Sequence, residues 1–356
     1  MKILQVITSM EVGGAEALVA QIAPMMRDRG HEVEVALFDG KDTVLTRRLE
    51  EAGIRIHRFS RGGSVYNPMH ILRLVRLMRR FDLVHTHNTS PQYFAAAAGL
   101  LCSVVLCTTE HTTSNRRRGS RWYARLDRWM YGRYGRVICI SRKAEENLRA
   151  FIGSDSERIL TINNGIDLKR FASARPIPGF KPDGYRAIVM VAGFRWEKDQ
   201  DTLIRALRIL PERFMLYLVG AGERMVECRK LAEELGVYPR VRFTGLSDNV
   251  PGILASADYA VMSSHFEGLS LSSVEGMAAG KPMLASDVDG LREVVRGAGV
   301  LFEHGNHIDF VDKIMALDAD PAEYARVAEA CRARAAKFDI NRMVDAYDRI
   351  YRQLHD

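Results

Sequence analysis

The chain has 356 residues, 47% apolar and 27% charged, with a formal net charge of +7. This exceeds one typical domain and has the composition of an ordinary globular protein, not a disordered, collagenous or disulfide-stapled one. The longest mostly apolar run, residues 93–107, is shorter than the ~20 residues of a membrane span, and Cys102, Cys107, Cys139, Cys228 and Cys331 show no metal or framework spacing, so they read as reduced thiols of a cytoplasmic protein.

Residues 2–8 predict a first strand and not a signal peptide, because Gln5 interrupts any apolar leader. The strand runs into Gly13-Gly14-Ala-Glu16 and a helix; paired glycines at such a turn let backbone approach a ligand closely. The run is not Gly-x-Gly-x-x-Gly, no acidic ribose partner follows the second strand, and no Walker lysine is present. A dinucleotide site is therefore unsupported and a P-loop is excluded. Further strands are predicted near 32–38, 82–86, 104–109 and 136–140, with helical stretches between them. The strand at 82–86 ends in His85-Thr-His87-Asn88, and that at 104–109 leads into Glu110-His111. Imidazoles at strand C-termini fall where such sheets bind ligands; His85 reads as structural, His87 and His111 as ligand-facing. No His-x-x-x-His helix or Cys/His cluster points to a metal, and none is expected.

Charge is uneven. Up to Phe171 there are 27 Lys and Arg against 17 Asp and Glu (+10), and beyond it 24 against 27 (−3). Arg116, Arg117, Arg118, Arg121, Arg125, Arg128, Arg133 and Arg136 surround the single acid Asp127, interleaved with Trp122, Tyr123, Trp129, Tyr131 and Tyr134. Basic and aromatic residues on a short helix suit an anionic membrane interface better than single-stranded nucleic acid; the plain alternative is a solvated helix face with its aromatics in the core. Residues 71–80 read as an ordinary amphipathic surface helix.

The proline- and glycine-rich stretch 173–186 reads as an interdomain linker. Strand–helix alternation then restarts, with strands near 187–193, 214–219, 240–244, 258–262, 282–286 and 299–302. After the first of these, Arg195 and Lys198 stand three residues apart at a strand-to-helix turn, where two cations can clamp a diphosphate. Gly220 and Gly222 form another glycine turn, and Gly245 offers backbone groups to a nucleobase edge. Between Glu267 and Glu275 a Gly/Ser-rich segment enters a short apolar helix. Amides at a helix N-terminus bind a diphosphate, and a carboxylate on either side can accept hydroxyl hydrogen bonds. Alone, the segment reads better as a capping box, with Ser272 as N-cap, Glu275 at N3 and Glu267 on a solvated loop. The last helix, 340–355, has a wide apolar stripe (Ile340, Met343, Val344, Tyr347, Ile350, Tyr351, Leu354) that must pack on something, and it is expected to cross back over the linker onto the first domain. Alternation in both halves gives an α/β chain of two doubly wound parallel sheets, whose ligands bind outside the carboxyl ends of the strands.

With these motifs in order, the chain resembles the family-4 retaining glycosyltransferases of glycosyltransferase group 1. The resemblance covers essentially the whole length. It rests on Gly-Gly-Ala-Glu at 13–16, Asp-Leu-Val-His-Thr-His at 82–87, Thr-Glu-His at 109–111, Ile-Ser-Arg at 140–142 and Asn-Asn-Gly-Ile-Asp at 163–167. It continues with Phe-Arg-x-x-Lys-Asp at 194–199, Leu-Val-Gly-x-Gly at 218–222, the Glu-x7-Glu segment and Gly-Lys-Pro at 280–282. It implies the GT-B architecture: two facing Rossmann-like domains, 1–172 for the acceptor and 187–338 for the nucleotide sugar, with an interdomain cleft and a C-terminal helix, 339–356, crossing back to the first domain.

The resemblance also implies roles. Glu275 binds the donor's ribose, Glu267 the transferred sugar, and the backbone of Gly268, Leu269, Ser270, Leu271 and Ser272 the sugar and phosphates. Arg195 and Lys198 neutralise the departing diphosphate, and His111 lies against the sugar. Gly13, Gly14, Gly220 and Gly245 approach the donor; Glu16, His87 and Asn164 line the acceptor side. Many relatives carry the arginine five residues before the lysine, where Gly193 stands here. The implied partners are a UDP- or GDP-sugar and a glycan or lipid-linked acceptor of polysaccharide or lipopolysaccharide assembly, with no cofactor, no metal and no nucleic acid, at the cytoplasmic membrane face. A sugar-nucleotide epimerase, a hydrolytic or phosphorolytic sugar enzyme, and a binding protein with a decayed site remain open as alternatives.

Overall fold

The computed structural model describes residues 1–11, 13–60, 64–111, 121–153 and 156–355. Its strands fall into two parallel sheets. The first contains β1 (Lys2–Ile7), β2 (Glu32–Leu37), β3 (Arg55–Arg58), β4 (Leu83–His87), β5 (Val105–Glu110), β6 (Arg136–Cys139) and β7 (Ile159–Thr161), in the order β3-β2-β1-β4-β5-β6-β7. The second contains β8 (Arg186–Val191), β9 (Phe214–Val219), β10 (Val241–Gly245), β11 (Tyr259–Met262), β12 (Met283–Ser286) and β13 (Val300–Phe302), in the order β10-β9-β8-β11-β12-β13. Central strands such as Phe-Met-Leu-Tyr-Leu-Val of β9 are buried throughout, as expected where helices cover both faces. Each sheet is doubly wound. Its order reverses between β1 and β4 in the first and between β8 and β11 in the second, and these are the points where ligands of such sheets bind.

Two strands escape the sequence reading. The edge strand β3 is Arg-Ile-His-Arg, too polar to register, and β7 is three residues long.

The chain forms two compact units. One comprises Met1–Asn164 with the chain end from Met343, the other Gly165–Arg342. The stretch 173–186, expected to be the linker, therefore lies inside the second unit. The reason is packing: Ile166 and Phe171, just before it, are buried in the second core. The Ile166 amide donates to the Phe338 carbonyl at 2.9 Å, and the Ile340 amide donates to the Ile166 carbonyl at 2.9 Å. Prolines and glycines here mark turns, with Phe180 stacked on Tyr217 at 4.2 Å. The final helix, Ile340–His355, packs on the first unit as its stripe requires: Val344, Tyr347 and Tyr351 are fully buried. Arg29 pairs with Asp345 at 2.5 Å and His31 with Asp348 at 2.6 Å.

Candidate active site

At the switch point of the second sheet, the loops after β8 and β11 are stitched together. The His265 amide donates to the Glu197 carbonyl at 2.8 Å, and the Ser263 hydroxyl to the Asp199 carbonyl at 2.7 Å. A single 3-10 turn, Trp196–Lys198, precedes Asp199, which adopts a left-handed φ of 48°. This register sets the Lys198 ammonium on the Glu267 carboxylate, which also accepts from the Ser264 hydroxyl at 2.7 Å. The two charged side chains are only 17% and 10% exposed. Arg195, by contrast, is exposed and makes no ion pair among the described residues.

The helix that follows is Leu271–Ala278. Its N-cap is Ser270, not Ser272: Ser270 has extended backbone, and its hydroxyl accepts from the Ser273 amide at 3.4 Å, so Ser272 is already helical. Glu275 therefore lies beyond the first turn and is no capping-box partner. Its carboxylate has no hydrogen-bond partner among the described residues. Burial pushes its pKa up to about 7, with Arg170 pulling the other way. The first amides of this helix, those of Leu271 and Ser272, have no intrahelical acceptor and carry the positive end of its dipole. Two close approaches seat the segment. A Cβ on Gly276 would meet Ala260 at 2.6 Å, and one on Gly290 would meet the Gly268 and Glu267 carbonyl oxygens at 2.3 and 2.4 Å.

Gly220 and Gly245, expected to approach a donor, bond to each other: the Gly220 amide donates to the Gly245 carbonyl at 2.9 Å. Gly220 has φ of 143°, and a Cβ there would lie 2.1 Å from the Ala192 carbonyl oxygen. These glycines lace the ends of β8, β9 and β10 together.

In the first unit, Gly13 N-caps the helix Gly14–Asp28. The Glu16 carboxylate folds back into the space a Cβ on Gly13 would need, and Asn88 donates to it at 3.4 Å. Around Gly14 the space is open. Asn164 ends this unit buried, its Oδ1 unpaired among the described residues.

The three histidines form a chain of hydrogen bonds whose polarity can be worked out. Gln5 Nε2 donates to the Tyr351 hydroxyl at 3.2 Å, so that hydroxyl satisfies its own proton by donating to His85 Nδ1. His85 Nε2–H then donates to Thr109 Oγ1 at 2.8 Å, which lies 3.1 Å from the Tyr347 hydroxyl. Gln5 Oε1 can only accept, so His87 Nε2–H donates to it at 2.8 Å. Burial holds all three imidazoles neutral, that of His111 lowered to about 4. His87 Nδ1 therefore accepts from His111 Nε2–H at 3.0 Å, leaving the lone pair of His111 on Nδ1. His87 was expected to face a ligand. It is fully buried with both nitrogens engaged, and it orients His111 instead.

Two family models match the chain. Residues 12–170 match Glycosyltransferase Family 4 and residues 176–334 match Glycosyl transferases group 1. The chain belongs to this glycosyltransferase family. The transferase is 27% identical over 354 residues to a phosphatidyl-myo-inositol mannosyltransferase of Mycobacterium leprae, covering 95% of this chain and 92% of that one. It is 33% identical over 200 residues, 52% of each protein, to the putative glycosyltransferase EpsD of Bacillus subtilis. Its fold matches Anabaena HepE in complex with UDP at a TM-score of 0.87, 23% identity, over 99% of this chain and 100% of that one.

Of the glycosyltransferase's basic segment, Arg116, Arg117 and Arg118 lie outside the described residues. The helix Arg121–Tyr131 turns Met130 and Tyr131 inward but leaves Trp122, Tyr123, Leu126 and Trp129 exposed. The aromatics are thus not all core residues. No helix of the described residues is long and apolar enough to cross a membrane.

Sequence reasoning missed Ser264, which braces Glu267, and Gln5 with Tyr351, which orient the histidines. It also missed Asn88, whose φ of 68° beside Glu16 sits at the first switch point. A polar Gln inside an otherwise apolar strand was the one available signal.

Proposed function

We propose that this glycosyltransferase moves a hexose-type sugar from a UDP- or GDP-sugar to a glycan or lipid-linked acceptor, with retention and with no metal at the leaving group. The observation that carries this is Glu275: a largely buried carboxylate without a partner among the described residues, on the same helix whose N-terminal amides and neighbouring Lys198, Glu267 and Arg195 suit a diphosphate sugar. In this reading Glu275 accepts hydrogen bonds from the ribose, Glu267 from the sugar, and His111 Nδ1 from a sugar hydroxyl. Lys198, Arg195 and the helix amides stabilise charge as the bond from C1 to the phosphate oxygen breaks. The acceptor oxygen bonds to C1 on the same face, and its proton passes to the departing phosphate. The exposed aromatic and basic helix supports an acceptor at an anionic membrane, as in polysaccharide or lipopolysaccharide assembly on the cytoplasmic face.

The test is a thermal-shift screen against UDP, GDP and their sugars, followed by transfer assays in the presence of a chelator with the product's anomeric configuration read by NMR. Stabilisation by a nucleoside diphosphate, lost in Glu275→Ala, is expected. No stabilisation by any nucleotide, an inverted product, or turnover that requires added Mg²⁺ or Mn²⁺ would each overturn the corresponding part of the reading.

A further inference from the structure

The loops beyond β8, β11 and β13 bring together one carboxylate and two imidazoles, those of Asp199, His265 and His304. One ligand atom from each lies within 4.8 Å of the others. His265 Nδ1 is 2.6 Å from His304 Nε2 and 3.9 Å from Asp199 Oδ2. We propose that this cluster binds a divalent transition-metal ion of the zinc class, in the second unit, with its remaining coordination positions open to water.

The donor set selects the ion. Two imidazoles and one carboxylate suit zinc, cobalt or nickel, whereas magnesium and calcium prefer all-oxygen sites. Two of the three ligands are already held in place. The buried Asp199 carboxylate accepts from the Thr202 hydroxyl at 2.6 Å, an outer partner of the kind that fixes metal-ligating carboxylates. The Asp199 carbonyl is fixed by Ser263, and the His265 backbone by Glu197. The His265 ring also lies 4.5 Å from the ring of Trp196. His304 is exposed and is the ligand with room to adjust. Two ligands on a tetrahedral ion stand roughly 3.3 Å apart, so its ring needs to withdraw by roughly 0.7 Å. Where the two nitrogens now share one proton, the ion takes that proton's place.

The site ties together the loops that carry Lys198 and Glu267, since Asp199 follows Lys198 directly and His265 precedes Glu267 by two residues. Metal binding stands independently of the donor reading; any effect of the ion on transfer rests on it.

The experiment is a titration of the reduced 356-residue chain with Co²⁺. A visible absorption saturating at one equivalent is expected, displaced by Zn²⁺ and accompanied by quenching of Trp196 fluorescence. His265→Ala and His304→Ala abolish both signals while the metal-free proteins unfold as wild type does. Thr202→Val weakens Co²⁺ affinity by about 10- to 100-fold. Trp196→Phe loses the quenching but keeps the absorption. A His304→Ala protein that titrates like wild type, or an intense thiolate charge-transfer band pointing to cysteine ligation, would overturn the assignment.

Discussion

The Lys198 ammonium rests on the Glu267 carboxylate, 69 positions away in the chain, with both side chains mostly out of solvent. The pair lies between an exposed ion pair, worth little, and a fully buried one, costly to break. Lys198→Met is expected to lower stability by about 2 kcal/mol, because it leaves Glu267 charged and poorly hydrated. Adding Glu267→Gln should restore part of that loss, and urea unfolding of the four proteins measures the coupling. Transfer activity should fall in both single variants and stay low in the double one. Full activity in Glu267→Gln would remove that carboxylate from the site.

Glu275 makes stability depend on pH in a definite sense. Its folded pKa of about 7 lies above the ordinary glutamate value of 4.5. The folded state thus holds a proton that the unfolded chain has lost between these values, and stability falls as pH rises through this window. Ionisation of this buried carboxylate costs on the order of 3 kcal/mol at pH 8. Glu275→Gln should be more stable than wild type at pH 8 and converge with it near pH 4.5. Nucleotide-sugar affinity should move the opposite way, weakening in wild type below pH 7 and staying weak and flat in the variant. Urea unfolding from pH 4.5 to 8 checks the first and calorimetric titration from pH 6 to 8 the second; a wild-type affinity independent of pH would separate Glu275 from the ribose.

Much of this frame is readable from the chain. The apolar runs of β8, β9 and β11, and the cations and carboxylates at their carboxyl ends, announce a doubly wound sheet with charged groups at its carboxyl edge. Other features are not local. Three serines in Ser270-Leu-Ser272-Ser273 could each cap the helix, and only burial and backbone angle select Ser270. The linker reading failed because Ile166 and Phe171 commit to the second core before the prolines begin. His87 looked like a ligand-facing residue because its partner Gln5 lies 82 positions away.

Gly290 tests whether the turn bearing Glu267 needs its support. A methyl group there would lie 2.3 and 2.4 Å from two backbone carbonyl oxygens, those of Gly268 and Glu267, which cannot yield as a flexible side chain would. Gly290→Ala should displace the turn, lower stability by about 1–3 kcal/mol and cut the transfer rate, although residue 290 touches no proposed substrate. Unchanged donor affinity and rate would show that the turn tolerates the shift.

The helix Arg121–Tyr131 makes a separate prediction. Trp122 and Trp129, 80% and 42% exposed, sit among arginines on its outer face. The double variant Trp122→Ser/Trp129→Ser should sediment less with anionic vesicles while keeping its melting temperature. Neutral vesicles should capture neither protein well, since each basic residue near an anionic surface adds about 1 kcal/mol. Equal capture of variant and wild type would rule out this helix as the membrane contact.

Tyr351 tests the histidine chain. Its hydroxyl accepts from Gln5 and donates to His85, so Tyr351→Phe strands a buried amide donor and a buried imidazole lone pair at about 1–3 kcal/mol. Gln5 then loses the contact that fixes its orientation. If its amide turns over, Nε2 faces His87, His87 must protonate Nδ1, and the His111 proton moves to Nδ1. His111 thereby changes from a hydrogen-bond acceptor into a donor toward any sugar hydroxyl. Nitrogen-15 NMR of labelled histidines should find His111 as the Nε2–H tautomer in wild type and as a mixture in Tyr351→Phe. The transfer rate should drop while nucleotide affinity, proposed to reside in the second unit, is unchanged. A wild-type His111 already carrying its proton on Nδ1 would reverse the polarity of the whole chain and with it the acceptor role given to that lone pair.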